Sequence, residues 1–185
     1  SDKMKSVGKV MTGAEIRVVD EDDRDCAVDA VGEIIVRGKT ITKGYWNLAE
    51  ETAKAIRDGW LYTGDAGYFD AAGYLFIYDR VKDMIVSGAE NVYPAEVESA
   101  LAGHEKIADV GVIGVPDEKW GETVKAVVVV KPGETLTAEE VMSFARTRIA
   151  GYKIPRSVDF VDELPRNPSG KILKRELRRP YWEGY

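Results

Sequence analysis

The sequence holds one cysteine, Cys26, and one histidine, His104, among 185 residues. A single thiol cannot close a disulfide within the chain, and it excludes a metal site built from several cysteines. His104 sits in "AGHEK" after a helical stretch and reads as a solvated cap residue, so no metal site is expected. The same scarcity removes Ser-His-Asp and Cys-His schemes of nucleophilic catalysis. No apolar run reaches about 18 residues, so nothing reads as a membrane-spanning helix. The opening "SDKMKSVGKV" lacks the apolar centre of a signal peptide and an initiator methionine, as expected of a fragment or a processed product. Positive charge is not in excess either. A net charge of −6 makes the molecule as a whole a poor nucleic-acid binder.

What is present is ordinary for a soluble globular protein: 44% apolar and 31% charged residues, enough chain for one domain or two small ones. Without disulfides the chain suits a reducing cytoplasm. "EIRVVD" (15–20), "GEIIVRG" (32–38), "WLYTGD" (60–65) and "YLFIYDR" (74–80) read as strands. Between them "NLAEETAKAIRDG" (47–59) reads as a helix, with Asn47 as N-cap, Glu50 completing a capping box and Gly59 as the stop. Beyond residue 83 the order is β-α-β-β-α-β-α. It comprises strands at "DMIVSG", 107–115, 123–131 and 157–161 and helices at 93–103, 137–151 and about 172–179. Thr137 and Glu140 form a second capping box there, and the unbroken "TVKAVVVVK" suits a strand buried on both faces. The fold class is α+β: a β-rich subdomain over 1–80, then a compact α+β domain.

Several residues invite a chemical reading beside a plainer one. "LPRNPSGKI" (164–172) ends a Pro/Asn/Ser/Gly loop on Lys171. A phosphate-cradling P-loop is excluded, because Pro165 and Ile172 stand where a glycine and a Ser or Thr are needed. The neighbouring Arg166, Lys174, Arg175, Arg178 and Arg179 are more often a solvated face than a nucleic-acid site. A third reading makes Lys171 a flexible cation brought to an anionic reaction centre. Gly64-Asp65 after a strand is usually a turn, but the carboxylate can also accept from two ribose hydroxyls. Arg80 is a surface arginine or a nucleotide clamp. "SGAENVYP" (87–94) is a loop, or a thin wall past which a slim substrate slides.

Taken together, "GEIIVRGKTITKGYW" (32–46), "GWLYTGD" (59–65), "DRVKDMIVSGAENVYPAEVE" (79–98), "GVPDEKWGE" (114–122) and "LPRNPSGKI" resemble, in order and spacing, the ANL adenylate-forming enzymes. These include acyl-CoA synthetases, luciferases and peptide-synthetase adenylation domains. The form is most similar to fatty and medium-chain acyl-CoA synthetases near the 4-coumarate ligase branch, with Ala89 where SGGEN is commoner. The resemblance implies a fatty acid, ATP with Mg2+, and CoA as substrates, passing through acyl-AMP and releasing pyrophosphate and AMP. It implies that Lys171 is the adenylation lysine, and that Asp65 and Arg80 bind the nucleotide. Lys82, within a hinge at 81–83, would turn the lid over 84–185. Gly88, Ala89, Glu90, Asn91 and Trp120 would line the pantetheine path.

Two further motifs of that family are missing: a Ser/Thr/Gly-rich phosphate loop ending in Pro-Lys, and an aromatic-Gly-x-Thr-Glu segment that stacks adenine. The chain is therefore expected to be the C-terminal portion of such an enzyme, inactive alone, with 1–80 the last β subdomain of a large domain. Strand edges and apolar faces meant for that domain should promote self-association through 1–80. The rival readings are an adenylation domain serving a carrier protein, and a non-catalytic domain binding a nucleotide or partner. A cytoplasmic place is expected, and peripheral contact with a membrane is left open.

Overall fold

The computed structural model describes residues 2–185. Its contacts separate one unit that ends at Lys82 from a second, Asp83–Tyr185.

The first unit is a five-stranded antiparallel sheet of β1 (Ala14–Val19), β2 (Gly32–Gly38), β3 (Ile56–Arg57), β4 (Trp60–Phe69) and β5 (Leu75–Arg80). β4 is the longest of them and the centre. β2 lies along one edge of it, while β3 and β5 share the other. The helix α1 (Ala49–Ala55) is shorter than the pattern predicts, and no side chain caps it. Asn47 is not the N-cap: it takes a positive φ of 54° and belongs to the preceding turn, so the box with Glu50 does not form. Gly59 is not a helix stop either. Asp58 (φ 48°) and Gly59 (φ 78°) are two successive left-handed residues that turn β3 into β4, the geometry that an Asp-Gly hairpin prefers. Pairing of Ile56 and Arg57 with β4 overrides the helical pattern there.

The second unit begins with a hairpin of β6 (Ile85–Ser87) and β7 (Glu90–Val92), followed by α2 (Pro94–Ala102). The sequence pattern shows only one strand here; the second appears because Gly88, at φ 68°, supplies the tight reversal. A long hairpin follows, β8 (Ile107–Asp117) and β9 (Gly121–Val130), then α3 (Ala138–Arg146), β10 (Ser157–Phe160) and α4 (Lys174–Trp182). β9 is central. β8 lies on one edge, β10 runs parallel on the other, and β6 joins at Gly121.

Alternation along β8 and β9 sorts two cores. Val110, Val112, Val124, Ala126 and Val128 pack with Val97 and Leu101 of α2 and with Val141 and Ala145 of α3. Ile113, Val115 and Val127 face Leu164 and, from α4, Leu177 and Tyr181. This two-sided cover is why β9 reads as an unbroken apolar run. The capping box of α3 is complete: Thr137 Oγ1 accepts from the Glu140 amide at 3.2 Å, and the Glu140 carboxylate accepts from the Thr137 amide at 2.8 Å. That backbone bond, with the Thr137 hydroxyl and Lys106 behind it, holds the Glu140 carboxyl down at about 2. The helix stops at Arg146, earlier than its pattern suggests, where the Thr147 hydroxyl and Arg148 both donate to the Phe144 carbonyl.

Among the described residues no helix is long and apolar enough to cross a membrane.

Candidate functional site

In the first unit, a bulge aims Asp65. Between the pairs Ile35–Tyr62 and Glu33–Ala66, β4 fits three residues where β2 fits one. Gly64 makes this possible with φ 71°, its amide donating to the Glu33 carboxylate at 3.0 Å. The Thr63 hydroxyl donates to the Ile34 carbonyl at 2.7 Å and accepts from the Asp65 amide at 3.1 Å. Asp65 then lies opposite Arg80 across the β4–β5 ladder. Arg80 Nη1 donates to Asp65 Oδ1 at 2.6 Å and to the Thr63 carbonyl at 3.3 Å. The two candidate nucleotide residues are therefore partners, both solvent-accessible. The carboxylate retains lone pairs for further donors such as a diol.

Lys82 is exposed in a short helical turn, Val81–Asp83. The backbone just beyond it is held: Arg178 Nη2 of α4 donates to the Asp83 carbonyl at 2.9 Å.

In the second unit the structure brings Gly88 and Trp120 together. The Gly88 amide donates to the Trp120 carbonyl at 2.8 Å, and the indole packs on the glycine so closely that a Cβ there would lie 2.9 Å from Trp120 Cε3. Asp117 sets that turn by accepting from the Lys119 and Trp120 amides, each at 2.9 Å. Ala89, Glu90 and Asn91 are all exposed beside it.

Lys171 stands elsewhere on this unit. Its loop is drawn to β8 by Arg166, whose Nη2 donates to Asp109 Oδ2 at 2.5 Å. Asp109 pairs with Val129 near one end of the long hairpin; Asp117 and Gly121, beside Trp120, pair at the other. Eight residues of extended chain place the two ends roughly 26 Å apart. The Lys171 side chain is exposed and has no hydrogen-bond or ion-pair partner among the described residues. No group of three acidic, His or Cys side chains that could hold a metal occurs among the described residues.

Comparison with known proteins gives the family. The model for "AMP-binding enzyme C-terminal domain" matches residues 96–171, and that for "AMP-binding enzyme" matches residues 1–46, together more than half of the chain. The chain belongs to the AMP-binding, adenylate-forming enzymes.

Among curated members of the AMP-binding family it is 52% identical to an octahydroindenyl-propanoyl:CoA ligase of Rhodococcus jostii (strain RHA1), over 92% of this chain and 32% of that protein. It is 55% identical to a long-chain-fatty-acid–CoA ligase of Bacillus subtilis (strain 168), over 79% and 26%. It is 45% identical to the fatty acid–acyl-carrier-protein ligase ScoC of Streptomyces coeruleorubidus, over 97% and 34%. The ATP-bound MatB of Rhodopseudomonas palustris superposes with a TM-score of 0.88 at 39% identity, over 96% of this chain and 36% of that one. The o-succinylbenzoate CoA synthetase of Bacillus subtilis, in complex with the acyl-adenylate intermediate OSB-AMP, gives 0.86 at 40% identity, over 95% and 36%. The chain thus spans about a third of the length of the family members it matches.

Sequence reasoning overlooked three supports. Glu33 backs the Asp65 bulge, and Asn167 organises the Lys171 loop; Asn three residues before a Gly-Lys pair, with Pro and Ser between, is a turn signature that could have revealed the latter. The third, Asp109, lies 57 residues from Arg166, and no local pattern announces such a pair.

Proposed function

We propose that this chain supplies the ribose-binding carboxylate, the hinge and the mobile lid of an ATP-dependent acid–thiol ligase, with a fatty acid as the carboxylic acid and CoA as the thiol. The observation that carries the reading is the unpartnered Lys171 ammonium at the tip of an ordered loop, in a chain with 45–55% identity to ligases that activate carboxylic acids. Adenylation joins two anions, a carboxylate and the α-phosphate of ATP. A delivered cation lowers their repulsion and stabilises the charge that builds on the phosphate as pyrophosphate leaves. Asp65, oriented by Arg80, receives the ribose hydroxyls. The Gly88–Trp120 wall is thin because Gly88 has no side chain, which suits the slim pantetheine arm whose thiol then displaces AMP. Because the two candidate surfaces lie at opposite ends of one hairpin, each half-reaction uses its own end, and rotation at Lys82 exchanges them. Mg2+ would accompany the nucleotide, as in the structure of the Bacillus subtilis synthetase with ATP and magnesium ion.

A carrier-bound thiol is the second reading, favoured by the 45% identity to ScoC.

The test is a hybrid enzyme in which this chain replaces the segment it superposes on in the Bacillus subtilis o-succinylbenzoate CoA synthetase. The hybrid should form the acyl-adenylate and then the CoA thioester, while the same enzyme without the segment should not. Lys171→Ala should slow adenylation about 10²–10³-fold, as for loss of one such charge-stabilising donor. A folded hybrid whose adenylation ignores that substitution refutes the reading. The 185-residue chain alone should release no AMP from ATP, Mg2+, CoA and fatty acids.

A further inference from the structure

The Lys171 loop closes on itself. The Asn167 amide donates to the Lys171 carbonyl at 2.9 Å, and the Lys171 amide donates to Asn167 Oδ1 at 2.9 Å. The same oxygen accepts from the Ser169 amide at 3.1 Å and the Ser169 hydroxyl at 2.8 Å. Gly170 donates to the Asn167 carbonyl at 2.9 Å, and Arg166 and Ile172 form an antiparallel bridge at the base. These bonds make the tip a small rigid hook. Ile172 packs with Leu164 against the core and pins the base, while the tip beyond it needs a restraint of its own.

Arg166 supplies that restraint. One arm of its guanidinium, Nη1, donates to the carbonyl of Gly170, the residue before Lys171. The other, Nη2, donates to Asp109 Oδ2 at 2.5 Å. Asp109 is itself anchored, since its Oδ1 accepts from the Val110 amide at 3.0 Å in β8. The planar fork therefore spans from the sheet to the peptide that carries the lysine. An ammonium, as a single point charge, cannot reproduce both arms. The pair is partly exposed, with side chains 42% and 33% accessible, and such pairs add little to stability. Its consequence is placement, and reaction rates are steeply sensitive to placement.

We infer that Arg166 and Asp109 are positioning residues for Lys171, which they brace against β8; their effect on the reaction rests on the role proposed for Lys171. Both guanidinium arms are committed to protein atoms, so Arg166 acts through the lysine and does not itself hold a phosphate.

The test uses the 15N-labelled full chain. Asp109→Asn keeps an acceptor for Val110 and turns an amide NH2 toward Arg166, so that both the charge and the acceptor facing the guanidinium are lost. The order parameters of the Gly170 and Lys171 amides should fall from about 0.85 to below about 0.6, while the amides of Leu101 and Val128 stay rigid and the melting temperature is unchanged. Arg166→Lys should loosen the same two amides. In the hybrid enzyme, Asp109→Asn should lower kcat for adenylation about tenfold and leave KM for ATP within twofold. Rigid Gly170 and Lys171 amides in both variants overturn the brace, even if Lys171→Ala abolishes adenylation. Loosened amides with a hybrid indifferent to Lys171→Ala leave the brace standing as geometry and overturn its part in the reaction.

Discussion

The two units each build a five-stranded sheet, and they differ in how helices cover it. In that unit α2 and α3 close one side and α4 the other, burying Val97, Leu101, Val141 and Ala145 completely. In the first unit α1 buries none of its residues; Val18, Ile34 and Leu75 cluster with a few partly buried neighbours, and Val19, Ile35 and Ala66 are buried as well. Apolar side chains there remain in water: Trp46 is 89% exposed and Ile77 54%. Strand count alone does not make a core. A sheet face stabilises the chain only when another element removes it from water.

The largest effect expected is self-association through the first unit. The full chain should associate with rising concentration in sedimentation equilibrium, and replacing Trp46 and Ile77 together by Lys should shift it to monomer. A monomer at every concentration would remove the reason for treating the first unit as under-covered.

The next effect is in the covered unit. Leu101→Ala empties a fully buried site between α2 and the sheet and should destabilise the second unit by about 2–5 kcal/mol, read from the urea midpoint of its Trp120 and Trp182 signals. Leu48→Ala, at an exposed position beside α1, should change stability by no more than about 0.5 kcal/mol.

The smallest effect concerns how the second unit holds α4. Tyr181 donates its hydroxyl to Asp159, which also accepts from Lys125 Nζ at 2.7 Å. Burial, then this bond to Asp159, pushes the phenol from 10.0 up to about 12. Burial alone would raise the Asp159 carboxyl, but the bonds from Lys125 and Tyr181 prevail and leave it lowered. Because the folded phenol keeps its proton longer than the unfolded one, its contribution is fully present below pH 10.0 and is lost as pH rises through about 12. The stability difference between the natural sequence and Tyr181→Phe should therefore shrink across that window in urea titrations. A difference independent of pH would show that the Asp159 bond does not govern α4.

Much of the second unit was legible because its signals are local and agree. Pro94 opens α2, Thr137 and Glu140 cap α3, and the valine run of β9 is long enough to read alone. The first unit was harder to read. At 47–59 a helical pattern competed with an Asp-Gly turn, and the winner depended on the presence of β4 as a partner for Ile56 and Arg57. Of the candidate site, Asp65, Arg80, Gly88 and Lys171 each sit in a short segment that allows a chemical reading beside a plainer one, while Trp120 and the roles of all five were implied only by the resemblance to adenylate-forming enzymes.

What the sequence by itself determined was composition, strand periodicity, the caps and the residue types offered to a ligand, because these depend on neighbours within a few positions. Chain packing decided that Asp65 faces Arg80, that Trp120 lies on Gly88, that Arg166 reaches Asp109 and that helices cover both faces of the second sheet while α1 buries none of its own residues. Those contacts join residues 15 to 57 positions apart, and their formation depends on the pairing of strands, which no local pattern encodes.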